Sequence, residues 1–317
     1  MRVPGRTGLR AVATGIGLPR TQVSTADALA RLAPGRPSSP ARAQHVIDSL
    51  GVASRHVAEP DEDAVSLGTT AAEHALDGHH PDALIFCSST SPSWTSSGAS
   101  AIAAALGLPP LLAFDLKAGC SSTLHALALV ARLLDDGQTA LIVGADTWTR
   151  AAPSADRGAA LTLGDGAAAV LVSADGSDGG LLGGALGTWP AHRALVGATG
   201  RLPPTMFPVE PGDFELTGDP DGLRAALPAI SDAIREEAGV RPVDRLLVHA
   251  GSVELIARNA AAWQIPAVHH PLRDHGNCGA ANILLAWHAL GVDHRDETWL
   301  LHAVAGGVAA GALLWRT

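Results

Sequence analysis

Short apolar segments alternate with longer helical patterns along this chain. In the short segments, polar residues do not occupy every second position, as they would in a half-exposed strand. Their length and their Val, Ile and Leu content predict strands in a sheet that is covered on both faces. The segments are Asp82–Cys87, Leu111–Leu116, Thr139–Asp146, Asp244–His249 and Thr298–Val304.

Two kinds of helix are predicted between these strands. Amphipathic helices are predicted at Ser24–Leu32, Ala64–Leu76 and Gly222–Ala238. Two further segments are apolar almost all round: one starts at Cys120 and runs to Leu134, and the other starts around Asn277 and runs to Leu290. A helix without a polar face is buried, so these two are expected between layers.

The two halves of the chain repeat the same order of strand, buried helix and strand. This pattern predicts an α/β fold of two related halves, residues 1–175 and 188–317, in five layers, α-β-α-β-α, with the buried helix pair in the middle. The Gly-, Asp- and Ser-rich stretch Asp175–Gly187 is the predicted linker, and the Pro- and Gly-rich stretch Arg201–Asp221 is the predicted cap over a pocket.

Composition narrows the functional classes. The 317 residues are 47% hydrophobic and 17% charged, with a net charge of −9, and no basic run is present. Nucleic acid and anionic membranes are therefore poor partners, and no apolar run is long enough to span a membrane. Three cysteines do not make a disulfide framework, so a cytoplasmic, reducing location is expected.

Cys120 is the first candidate for chemistry because it lies between a strand and the start of a helix. The free N–H groups and the positive end of the helix favour the thiolate, which is the nucleophilic form. On position alone, a packing role for Cys120 stays equally open. The repeat also brings His249 and Asn277 to corresponding places of the second half, so pseudo-twofold symmetry predicts one site with Cys120. A charged His249 would stabilise the thiolate further.

Five motifs in order resemble the β-ketoacyl-acyl-carrier-protein synthase III family of the thiolase-like superfamily. They contain the predicted nucleophile, the histidine, the asparagine and two glycine-rich signatures. The motifs are Phe114–Cys120, Asp156-Arg157-Gly158 with Gly164–Ala167, Val248-His249-Ala250, His275-Gly276-Asn277, and Gly306-Gly307 with Trp315-Arg316.

The resemblance implies a two-stage reaction. Cys120 would take an acyl group from a thioester, and the backbone N–H groups of Cys120 and Gly306 would form the oxyanion hole. His249 and Asn277 would then donate hydrogen bonds to the enolate formed when a malonyl thioester loses carbon dioxide. The implied partners are an acyl carrier protein, coenzyme A thioesters and a second copy of the chain, with Thr139–Asp146 near the two-fold axis. No cofactor and no metal are implied.

The resemblance also implies a substrate pocket lined by Trp94, Thr95 and Phe207. Family members that use acetyl-coenzyme A carry a Trp and an Arg near the nucleotide; here no Trp is present in that region and Ser49 stands where the Arg is expected. Similarly, Glu254 replaces an Arg that helps to dock carrier proteins, and Ser252 replaces an Asn that contacts coenzyme A.

Several alternatives stay open. A same-fold acyltransferase would move the Cys-bound acyl group to a hydroxyl or amine of a small metabolite, and the altered coenzyme region favours it. The presence of Cys120, His249 and Asn277 together disfavours a catalytically silent partner subunit. A papain-like protease also uses Cys, His and Asn, but the sequence around Cys120 does not match that family. The spacing of His270, His275 and Cys278 is not a recognised metal-binding pattern.

Overall fold

A computed structural model describes residues 1–33, 39–93, 95–151, 157–200, 214–239, 242–249, 251–294 and 296–317. Strands within these ranges are numbered in chain order. They are β1 (Arg2–Thr7), β2 (Arg10–Gly17), β3 (Thr21–Ser24), β4 (Ser54–Val57), β5 (Ala83–Cys87), β6 (Leu112–Leu116), β7 (Thr139–Thr147), β8 (Asp165–Ser173), β9 (Gly180–Thr188), β10 (Val196–Gly200), β11 (Phe214–Gly218), β12 (Arg245–His249), β13 (Val268–His269), β14 (Thr298–Ala305) and β15 (Ala309–Arg316).

The helices in the same ranges include three short ones of four to six residues. They are α1 (Thr25–Leu32), α2 (Pro40–Leu50), α3 (Ala64–Leu76), α4 (Gly98–Ala105), α5 (Ser122–Leu133), α6 (Trp148–Ala151), α7 (Arg157–Thr162), α8 (Pro220–Ala238), α9 (Val253–Trp263), α10 (Leu272–His275) and α11 (Asn282–Leu290). The three predicted amphipathic helices are confirmed as α1, α3 and α8. Ser24 is the N-cap of α1, and its hydroxyl accepts the N–H of Asp27.

Two large sheets show the internal repeat directly. The first has the strand order β2-β8-β7-β5-β6, and the second has the order β1-β9-β15-β14-β12-β13. Without β1, the two sheets match strand for strand, including the parallel and antiparallel pairings. Consequently β6 of the first sheet corresponds to β13 of the second, and α5 corresponds to α11.

The two corresponding helices lie between the sheets. Helix α5 packs on β5 and β7 of the first sheet and on β9, β14 and β15 of the second, while α11 packs on β2 and β8 and on β12 and β14. Helices α3 and α4 cover the outer face of the first sheet, and α8 and α9 cover that of the second. The predicted five-layered α-β-α-β-α architecture is confirmed.

The predicted linker Asp175–Gly187 is wrong, because most of it is strand β9. This strand pairs with both β1 and β15 in the second sheet and is largely buried. Four glycines within it weaken the sequence signal of a strand. The remaining predicted loop, Arg201–Asp221, is described only from residue 214, where β11 pairs with β10; residues 201–213 lie outside the described residues.

That Thr139–Asp146 lies near a two-fold interface stays a prediction, although this strand is not at the edge of its sheet. Strand β7 is hydrogen-bonded to β5 on one side and to β8 on the other, and every residue after Thr139 is buried within the single chain. The edge strands of this sheet are β2 and β6, and Leu112 of β6 is 49% exposed. Among the described residues, no helix is both long enough and apolar enough to cross a membrane.

Candidate active site

The turn that carries Cys120 follows β6 and leads into α5, which starts two residues later than predicted, at Ser122. Gly119 has φ +58°, a conformation that side chains disfavour, and a methyl group built on it would lie 3.1 Å from Cβ of Ala305. The Ser122 hydroxyl accepts the N–H of Ala118 (2.7 Å) and donates to the carbonyl of Gly119 (2.6 Å). The turn is thus held by the hydrogen bonds of Ser122 and packs against the end of β14.

The surroundings of the Cys120 sulfur oppose ionisation in the free enzyme. Burial and the negative charge of Asp146 raise the pKa of the Cys120 thiol to about 12, although the backbone N–H groups of Cys120 and Gly306 interact with the sulfur and lower it. The backbone N–H of Cys120 favours the thiolate as expected, but burial and Asp146 outweigh this effect in the resting site. Part of Cys120 stays accessible, whereas Cys87 and Cys278 are fully buried, so Cys120 is the thiol that a substrate can reach.

The turn that carries Asn277 is the counterpart in the second half. Gly276 has φ +70°, and a methyl group built on it would lie 2.9 Å from the carbonyl oxygen of Thr162. Asn277 is followed by a 3₁₀ turn, Gly279–Ala281, before α11 begins. The side-chain oxygen Oδ1 of Asn277 accepts the backbone N–H of Gly279 at 2.9 Å. This contact leaves the NH₂ group of Asn277 available as a donor.

His249 ends β12 and is 4% exposed. Burial and, to a smaller extent, nearby His302 lower the pKa of the His249 imidazole to about 4. The ring is therefore neutral at physiological pH, and the expectation that a charged His249 would stabilise the thiolate is wrong. Its nitrogen Nδ1 lies 2.9 Å from Nδ2 of Asn282.

Strand register brings the two turns to one place. His249 pairs with Ala303 of β14, and β14 ends two residues later, directly before Gly306. The N–H of Gly306 acts on the Cys120 sulfur, and Asn282 contacts both His249 and Asn277. Cys120, Gly306, His249 and Asn277 thus lie around the same ends of β12 and β14.

Asp146 is a site neighbour that the sequence reasoning did not single out. It is fully buried at the end of β7. Its Oδ1 accepts the N–H groups of Ser89 (2.7 Å) and Thr90 (3.0 Å), and its Oδ2 accepts the N–H of Ala280 (2.9 Å). Burial raises the pKa of this carboxyl, and these donors oppose that effect. The carboxylate joins the loop after β5 to the Asn277 turn. In the sequence, Asp146 can be recognised as an acidic residue within an otherwise apolar strand.

The predicted pocket residues are only partly described. Thr95 is exposed on the loop between β5 and α4, so within a single chain it lines no buried pocket. Trp94 and Phe207 lie outside the described residues, as does Asp156 of the middle signature. No group of three or more His, Cys, Asp or Glu side chains in the described part of the chain is arranged to hold a metal ion.

Of the three positions expected to depart from the family pattern, two have local structural roles. The Ser252 hydroxyl caps α9 by accepting the N–H of Leu255. Glu254 pairs with Arg258 at 2.8 Å and with Arg224 at 3.6 Å on the surface. Ser49 is exposed on α2.

Comparison with known proteins gives three concordant matches. Residues 114–190 match the family model described as 3-oxoacyl-[acyl-carrier-protein (ACP)] synthase III. A β-ketoacyl-[acyl-carrier-protein] synthase III of Rhizorhabdus wittichii is 30% identical, with 96% of this chain and 98% of that protein covered. The crystal structure of 3-oxoacyl-(acyl carrier protein) synthase III from Pseudomonas aeruginosa has a TM-score of 0.82 and 26% identity, and 98% of each chain is covered.

The priming β-ketosynthase of the R1128 polyketide biosynthetic pathway has a TM-score of 0.84 over 100% of this chain and 98% of that chain, at 24% identity, and shares the fold. The order of motifs, the paired turns between the sheets and the similarity along nearly the whole length agree. The chain therefore belongs to the β-ketoacyl-acyl-carrier-protein synthase III family.

Proposed function

We propose that this ketosynthase III-like enzyme transfers an acyl group to Cys120 and then condenses it with a malonyl thioester by decarboxylation. The observation that carries the proposal is the pairing of an accessible thiol with two neutral donors. Asn277 is held by its oxygen, so that its NH₂ group stays free, and His249 is kept uncharged by burial. Neutral donors suit an enolate oxygen, whose negative charge appears only during the reaction.

In the loading step, the Cys120 sulfur attacks the carbonyl carbon of an acyl thioester. The new C–S bond forms first and gives a tetrahedral intermediate. The old C–S bond then breaks, and the departing thiolate takes the proton that Cys120 gives up. The backbone N–H groups of Cys120 and Gly306 would stabilise the oxyanion of this intermediate, and their interaction with the sulfur supports that role. Because the resting thiol has a raised pKa, the proposed step has the proton leave Cys120 during the reaction and not before it.

In the condensing step, the carboxylate of the malonyl thioester leaves as carbon dioxide, and the electron pair of the broken C–C bond passes into an enolate. His249 and Asn277 donate hydrogen bonds to the enolate oxygen. The enolate carbon then attacks the acyl-Cys120 carbonyl, a C–C bond forms, and the Cys120 sulfur leaves as a thiolate. The product is a β-ketoacyl thioester.

The alternative, acyl transfer to a hydroxyl or amine, needs a base to take the acceptor's proton. With its pKa lowered to about 4, His249 is a weak base near neutral pH, and this favours condensation.

The proposed substrates are acyl and malonyl thioesters of an acyl carrier protein or of coenzyme A, and the proposed assembly is a homodimer in the cytoplasm. The free edge of β6, with exposed Leu112 and the exposed Thr95 loop nearby in the sequence, supports pairing of two copies through this edge. Three free cysteines support a reducing compartment.

Intact-protein mass spectrometry with a panel of acyl-coenzyme A and acyl-carrier donors tests the first step, and release of labelled carbon dioxide from malonyl donors tests the second. The proposal expects one acyl mass on the wild type and carbon dioxide release from at least one malonyl donor. Loading without any decarboxylation would leave the acyltransferase alternative, and no loading at all would leave the silent subunit.

A further inference from the structure

Asn282 is a buried polar residue at the first position of α11, the apolar helix between the two sheets. It is 1% exposed, and its neighbours in the helix, Ile283, Leu284 and Leu285, are all buried hydrophobic residues. Burying a carboxamide destabilises the folded state unless its polar atoms are hydrogen-bonded. Its partners therefore indicate what it does.

One contact fixes which way the Asn282 amide faces. The backbone N–H of Cys278 lies 2.9 Å from one terminal atom of the side chain. A backbone N–H can only donate, so that atom is the oxygen, Oδ1. The other atom is Nδ2, which can only donate. It lies 2.9 Å from Nδ1 of His249 and 3.4 Å from Oδ1 of Asn277.

The consequence for His249 is a defined tautomer. Since Nδ2 of Asn282 donates, Nδ1 of His249 must accept, and the single proton of the neutral imidazole lies on Nε2. The ring thus keeps its N–H on the side away from Asn282.

The consequence for Asn277 is a defined amide orientation. Its Oδ1 receives the N–H of Gly279 and the second N–H of Asn282, so its NH₂ group faces the other way. A methyl group built on Gly251 would lie 3.8 Å from this nitrogen, which places the NH₂ beside the loop that follows His249.

We propose that Asn282 is the positioning residue of the condensing step: one buried amide sets the tautomer of His249 and the orientation of Asn277, so that both present N–H donors to the enolate. The inference rests on the proposed function for its catalytic meaning. The tautomer and the amide orientation themselves do not depend on it.

Asn282→Leu tests the positioning role by kinetics, because leucine has a similar volume and donates nothing. Misplacing catalytic donors by about 1 Å can cost about a hundredfold in rate, so kcat for carbon dioxide release should fall to that extent. The KM for the malonyl donor and the rate of acyl loading on Cys120 should stay close to those of the wild type. Asn259→Leu is the matched control, because Asn259 is also buried and hydrogen-bonds to His302 instead of His249; both partial reactions should survive it.

The tautomer is measured directly by ¹⁵N NMR on histidine-labelled protein, with the His249 signals identified as those missing from His249→Gln. The proposal predicts a protonated Nε2 and an unprotonated Nδ1 in the wild type. In Asn282→Asp, whose carboxylate can only accept at neutral pH, Nδ1 of His249 should gain the proton.

Three results would overturn the proposal: a wild-type proton on Nδ1, unchanged decarboxylation in a folded Asn282→Leu variant, or equal losses of loading and decarboxylation, which indicate a merely structural residue. If the wild type releases no carbon dioxide from any malonyl donor, the proposed function fails instead. The NMR measurement still decides the role of Asn282 in that case.

Discussion

The Cys120 turn and the Asn277 turn are the same structural device used for two different purposes. Each follows the corresponding edge strand of its sheet, β6 or β13, and leads to a helix buried between the sheets. Each has a glycine with positive φ directly before its functional residue, Gly119 in one and Gly276 in the other.

The two turns differ in what they do to the side chain. At Cys120 the hydrogen bonds of Ser122 hold only the backbone, and the sulfur interacts with the backbone N–H groups of Cys120 and Gly306. At Asn277 an extra 3₁₀ turn supplies the N–H of Gly279, which holds the side-chain oxygen. A nucleophile has to move toward and away from carbon, whereas a hydrogen-bond donor works best when it is already oriented. The extra turn provides that orientation in the second half alone.

The largest expected effect is on the Cys120 turn and comes from removing the nucleophile. Cys120→Ala removes the sulfur, so acyl loading should disappear while the fold remains. Cys278→Ala is the control, because that thiol is fully buried and should not carry the acyl group. An acyl mass that persists on Cys120→Ala but not on Cys278→Ala would reverse the assignment.

Substituting the two glycines should affect different partial reactions. Gly119→Ala pushes a methyl group toward Ala305 and Gly306 and should slow loading, while Gly276→Ala pushes one toward the Thr162 carbonyl and should slow decarboxylation. The positive-φ backbone alone costs roughly 1–3 kcal/mol for a residue with a side chain. Gly276, with φ +70° and ψ −162°, lies in a region that essentially only glycine adopts, and close contact adds to the cost in both variants. Thermal unfolding and the two partial reactions measure both effects.

Gly137→Ala controls for backbone strain. Gly137 also has positive φ, but a methyl group there meets nothing within 4 Å. This variant should lose stability without changing either partial reaction. If it slowed the chemistry as much as the other two, the contacts at the turns would not be the cause.

The raised pKa of Cys120 predicts that the reactivity of its thiol depends on pH. With a pKa of about 12, the thiolate fraction at neutral pH is small and grows tenfold for each pH unit. Alkylation of Cys120 by iodoacetamide should therefore keep accelerating from pH 7 to pH 10, as followed by mass spectrometry against Cys120→Ala. A plateau above pH 8 would mean that the resting enzyme already holds a thiolate.

The smallest expected effect concerns His249. Its pKa lies about 4, so the ring stays neutral as the pH falls from 8 toward 5, and no proton is gained on the donor side of the site. The rate constant for carbon dioxide release from the bound malonyl donor should change less than about twofold across this range. A sigmoid change centred near pH 6.5 would show that His249 titrates as an ordinary exposed imidazole.

The sequence is informative about features that a residue and its neighbours along the chain determine. Apolar runs predict the strands, the repeat predicts the layers, and the motifs of the two halves single out Cys120, His249 and Asn277. The edge of the first sheet could not be predicted in this way, because the neighbours of β6 and β7 are set by long-range pairing and not by their own residues.

The missed features all depend on contacts between distant residues. Strand β9 is rich in glycine and is stabilised by β1 and β15 from opposite ends of the chain. The pKa of Cys120 depends on its burial and on Asp146, and local sequence shows only the helix start. Asn282 was visible as a polar residue in an apolar helix, but its partner His249 lies 33 residues away.

The division of labour between the two turns is tested most directly by measuring acyl-Cys formation and carbon dioxide release in parallel for the wild type and for Asn277→Ala. The account predicts that Asn277→Ala loads Cys120 at close to the wild-type rate and releases carbon dioxide about a hundred- to a thousandfold more slowly, as expected for the loss of one oxyanion donor. Equal losses in both reactions, or undiminished carbon dioxide release, would contradict it.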